Sequence, residues 1–127
     1  MLRREDVYKE FIEQASKCYV DALQHDEADA DIPGLVTLSA LIGRMRIMST
    51  PKVVGIADQI GRKILDSYLV PDKTFHELRE MVKSDSIDII REFSEACREE
   101  FESLRARQFW ARQVQAADYG HLHHLPQ

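Results

Sequence analysis

The chain has 127 residues, 44% of them hydrophobic and 31% charged, with a formal net charge of -5. That is one domain's length with enough apolar content for a core, which argues against global disorder. Five glycines and four prolines are too few for a β-rich fold with its frequent turns, and the acidic balance argues against nucleic acid as the main partner.

Cys18 and Cys97 form neither a disulfide framework nor a zinc motif. Both fall on apolar helical stripes, as buried reduced thiols do, which points to the cytoplasm. No run approaches the roughly 20 apolar residues of a membrane span. The charged opening from Met1 to Asp6 lacks the apolar region of a signal peptide.

The first predicted helix runs from about Leu2 to Gln24. Val7, Phe11, Ala15, Cys18 and Ala22 recur at spacings of three or four, and Tyr8, Ile12, Tyr19 and Leu23 widen the stripe, as on a core-facing helix. From His25 to Asp31 the pattern stops. Glu27, Asp29 and Asp31 alternate as in a calcium loop, but the glycine and glutamate that such a loop needs at its sixth and twelfth positions are Ile32 and Leu38 here. The segment reads as an acidic linker, with Asp31 placed to cap the next helix.

The second helix runs from about Pro33 to Ser49 and is apolar on two sides. Leu35, Leu38, Ile42, Met45 and Met48 make one face. Val36, Ala40, Gly43 and Ile47 make another, roughly opposite at about 100° per residue. Such a helix is central in its bundle or used in an interface. Its only charges, Arg44 and Arg46, are expected to find acceptors on neighbouring helices.

Thr50 caps and Pro51 opens a third helix, which runs to about Leu69 on a stripe of Val53, Val54, Ala57, Ile60, Ile64, Leu65 and Tyr68. The join at Pro51 is very short and suits a kink better than a reversal. After Pro71, Thr74 and Glu77 form a capping box for a short helix to about Lys83, burying Phe75, Leu78 and Val82. Ser84, Asp85 and Ser86 can cap the last helix, whose stripe is Ile87, Ile90, Phe93, Cys97, Phe101 and Leu104. Past Leu104 the stripe dissolves into Gln108, Ala111 and Gln115, and Phe109 and Trp110 point roughly 120–140° away from it.

Reactive constellations are weak. There is no glycine-rich phosphate loop and no nucleophile elbow. His76 and Glu80 share a face, but a metal site needs a third and a fourth ligand. His121, His123 and His124 form a His-rich tail of the kind that chelates metal adventitiously. Cys97 has no histidine at helical spacing to activate it. Arg105, Arg107 and Arg112 surround Phe109 and Trp110; three arginines are few for a membrane or single-strand site, and an aromatic contact within the protein or its dimer is the better reading.

Two segments carry a resemblance. One is Leu2 to Phe11, with Arg3, Arg4 and the step from Tyr8 to Phe11. The other is Arg44 to Val54, where Arg44, Met45, Arg46 and Ile47 run into Thr50, Pro51, Val53 and Val54. In these the chain resembles a broad group of uncharacterised bacterial helical-domain proteins, over residues 2–105. The resemblance implies a domain that often comes after an N-terminal membrane helix and lies in the cytoplasm. It implies no reaction and no catalytic residue.

The expected fold is an all-α antiparallel helical bundle of three long rods, the middle rod kinked at Pro51, with a short crossing helix; a four-helix bundle is the alternative. Residues 1–116 form the single domain and 117–127 a flexible His-rich tail. The expected function is a non-enzymatic cytoplasmic protein–protein interaction module. The competing class is a small enzyme, or a ligand- or metal-binding protein, using a bundle-core pocket, which would need convergent titratable groups. No catalytic, cofactor-binding or metal residue is assigned. The interaction candidates are Val36, Ala40, Gly43 and Ile47 together with Phe109 and Trp110. A homodimer or another protein is the expected partner, nucleic acid is not, and a membrane enters only through an anchor outside this chain.

Overall fold

The computed structural model describes residues 3–24, 30–69, 75–83 and 88–123, with the backbone alone at 75 and 118–123. It contains α1 (Arg4–Gln24), α2 (Ile32–Met48), α3 (Pro51–Tyr68), α4 (Phe75–Lys83) and α5 (Arg91–His123). There is no strand among the described residues, so the chain is all-helical there. No described helix is long and apolar enough to cross a membrane.

The α1 stripe is buried from Val7 to Leu23. Asp31 caps α2, its carboxylate accepting the Gly34 N–H at 3.0 Å, with Pro33 in the first turn. Glycine at 34 leaves room for the cap, because a Cβ there would force that carboxylate to shift. Gln14 of α1 donates to the Gly34 carbonyl at 3.0 Å. Tyr8 meets Ser49 at the other end. The two helices therefore lie antiparallel along their length.

The kinked middle rod is corrected to a helix hairpin. Ser49 and Thr50 are both extended (ψ 160° and 154°), which turns the chain between α2 and α3. Arg46 then reaches Asp58 at 3.1 Å. Higher up, Ile42 lies 3.6 Å from where a Gly61 Cβ would stand. Pro51 does start a helix, as its fixed φ favours, but the residues before it set the angle. Tyr68 of α3 returns to Asp21 of α1 at 2.5 Å, so α1 and α3 run side by side in the same sense.

The first half of α5 lies across α1 and α3. Phe93 is fully buried between Phe11 (ring centroids 4.7 Å apart) and Tyr8 (5.7 Å), and Tyr8 also meets Phe101 at 5.7 Å. Such edge and tilted pairs add about 0.5–1.5 kcal/mol each to simple burial. The helix begins at Arg91 rather than at Ile87, with Asp88 accepting the N–H groups of Ile90 and Arg91 at 3.2 and 3.1 Å. Ser84, Asp85 and Ser86 lie outside the described residues, as do Pro71 and Thr74. In α4, Leu78 and Met81 pack against the core and Val82 is exposed. The core centres on Val7, Phe11, Met45, Val53, Ile64 and Phe93, each contributing roughly 1.5–3 kcal/mol by burial. α5 continues unbroken to His123, past residue 116.

Candidate interaction surfaces

From Arg105 to Ala117 every residue of α5 is exposed. The helix passes Lys52 at Glu99, where their charged groups are 2.6 Å apart, and then leaves the bundle. Its remaining turns form a helical arm. Phe109 is 59% exposed, Trp110 68% and Val114 55%. The two rings touch edge to face at 6.4 Å. At about 100° per residue, Ala106, Phe109, Trp110, Gln113, Val114 and Ala117 share one uncharged face. The arginines at 105, 107 and 112 flank it.

The second surface is the outer side of α2. Leu38, Leu41, Ile42 and Met45 are buried. On the other side Val36 is 62% and Ile47 88% exposed, Ala40 is exposed, and nothing lies within 4 Å of where a Gly43 Cβ would be. α2 is thus a peripheral helix, and among the described residues nothing covers its outer face. Arg44 and Arg46 leave that face on opposite sides, toward Glu10 of α1 at 3.9 Å and Asp58 of α3 at 3.1 Å. All four side chains are a third or more exposed, so these pairs are worth little. The structure does not bring the α2 face and the arm together within one chain.

One buried charge escapes the stripe reading. The side chain of Glu100 is only 2% exposed. One carboxylate oxygen accepts from Arg4 at 3.0 Å and from Tyr8 at 2.5 Å; the other accepts the Thr50 N–H at 2.9 Å. The Tyr8 proton goes to the carboxylate, so the Ser49 hydroxyl donates to the Tyr8 oxygen, 2.7 Å away. Burial alone would raise the Glu100 pKa, but the Tyr8 and Thr50 hydrogen bonds and the Arg4 charge outweigh it and hold the group below its ordinary value. Burial, with the carboxylate beside it, pushes the Tyr8 hydroxyl up. This cluster ties α1, the α2–α3 turn and α5 together where the arm departs. Glu100 was legible: it lies three residues after Cys97 and four before Leu104, on the core side of the helix.

Burial pushes the Cys97 thiol up to about 12, with the Glu100 charge adding to it. That is an inert core thiol rather than a nucleophile. Among the described residues no group of three or more His, Cys, Asp or Glu side chains converges on a metal position. Glu80 reaches Lys83 at 3.7 Å. The side chains of the His-rich tail lie outside the described residues. Comparison of the chain with protein-family models, with curated proteins and with solved structures finds no match.

Proposed function

We propose that the chain is a non-enzymatic helical module of the bacterial cytoplasm that works by protein–protein contact, with the α5 arm as its contact element. The observation that carries this reading is the exposure of Phe109, Trp110 and Val114 on a helix that has left its own bundle. Aromatic side chains presented this way favour interfaces. Glu100, the buried charged side chain among the described residues, is engaged by Arg4, Tyr8 and Thr50 in a structural role. The cytoplasmic assignment rests on Cys18 and Cys97 serving as buried apolar side chains.

The test is a photo-crosslinking amino acid placed at 110, compared with one at the exposed Val20 of α1, in living cells. The reading predicts discrete protein adducts from position 110 and none from position 20. No adduct at 110, or the same diffuse labelling from both, would overturn it.

A further inference from the structure

The arm and the outer face of α2 fit each other, and only a second copy can bring them together. α5 is one helix, and it passes Thr50 and Lys52 at the end of the bundle where α2 stops and α3 starts. Its later residues travel away from their own α2. Two bundles set end to end about a two-fold axis would lay each arm antiparallel along the other's α2. Both stripes span three helical turns, about 16 Å.

In that register Trp110 faces Gly43, Gln113 faces Ala40, Ala117 faces Val36, and Ala106 faces Ile47. Each pair sets a larger side chain against a smaller one. Self-pairing does the reverse. α2 against α2 opposes Val36 to Ile47 and Ala40 to Gly43, which leaves a gap at the centre. Arm against arm opposes Trp110 to Gln113 and Ala106 to Ala117, and stacks arginines together. Close packing rewards the mixed arrangement. Charge acts at long range and not on the face itself: residues 1–104 hold 21 acidic against 14 basic side chains and attract an arm with three arginines, while Arg44 and Arg46 flank the α2 face and are paired with Glu10 and Asp58. An acidic bundle also disfavours an anionic membrane as the arm's target.

Building on the contact role of the arm, we infer that the partner is a second copy of this chain, in a two-fold dimer where each arm covers the other's Val36, Ala40, Gly43 and Ile47. Such a reciprocal exchange closes and does not propagate.

The experiment uses two single variants of the full chain, Ala40→Cys and Gln113→Cys, both at exposed positions, one carrying a mass tag. Cys18 and Cys97 are buried and do not compete. On mild oxidation, mixed disulfide should exceed either like-with-like disulfide by about tenfold. A predominance of Ala40→Cys or Gln113→Cys homodimers would overturn the exchange, as would wild-type protein that sediments as a monomer up to about 100 µM. Binding of that monomer to phosphatidylglycerol vesicles would give the arm to a lipid surface instead. Photo-adducts from position 110 to a different protein, without the mixed disulfide, would leave the contact role standing and remove the dimer. Neither adduct nor disulfide would remove both.

Discussion

The Glu100 carboxylate accepts the Thr50 backbone N–H at 2.9 Å, joining α5 to the first turn of α3 across the bundle end. Tyr8 and Arg4 bind its other oxygen. A buried carboxylate that loses its donors, or donors that lose their carboxylate, cost more than the net worth of the bonds. Glu100→Ala should therefore destabilise the fold by about 3–5 kcal/mol, and Tyr8→Phe by about 1–2 kcal/mol. The double variant should lose less than the two together, because both act on one cluster. Urea denaturation monitored by circular dichroism measures all three.

The same carboxylate makes stability depend on pH. Its folded pKa is held below the ordinary value, so its contribution is present above the unfolded pKa and is lost as pH falls through the folded one. The midpoint of urea unfolding should drop through the acidic range in the wild type. Glu100→Gln should start lower and lose less over the same range. A parallel decline in both proteins would mean that other carboxylates govern acid unfolding.

The start of α2 offers a local test. Gly34→Ala puts a methyl group where the Asp31 carboxylate sits and so disrupts the cap. Loss of such a cap costs about 0.5–2 kcal/mol. Asp31→Ala should cost the same, and combining the two should add little. Clear additivity would show that the glycine matters for something other than the cap.

Much of this fold is legible from periodicity, and the misses have particular causes. Helix limits at Gln24 and Pro51 come from stripes, caps and proline. The two apolar sides of α2 are visible in sequence, and so is the divergence of Phe109 and Trp110 from the α5 core stripe. The hairpin at Ser49 and Thr50 is not, because Pro51 fixes the start of a helix but not the direction from which the chain arrives. That direction is held by Tyr8 on Ser49 and Glu100 on Thr50, contacts 41 and 50 residues away in sequence. Whether α2 is central or peripheral depends on which helices surround it, and a stripe does not count neighbours. The exposure of Val36 and Ile47 decides it.

The arm should be dispensable for the bundle. Every residue from 105 to 117 is exposed, so a chain ending at 108 removes no core contact made by a described side chain. At concentrations where the wild type is monomeric, its thermal midpoint by circular dichroism should stay within about 2 °C of the full chain. A drop of about 10 °C or more would show that the arm folds back onto its own bundle.

Trp110 is the only tryptophan in the chain, so its emission reports the arm and nothing else. Fluorescence measured on dilution from about 100 µM to about 0.1 µM, in the wild type and in Gly43→Glu, tests the exchange most directly. The dimer predicts blue-shifted emission at high concentration that moves to the wavelength of a hydrated indole on dilution, with Gly43→Glu hydrated throughout. Hydrated emission from the wild type at every concentration would contradict it.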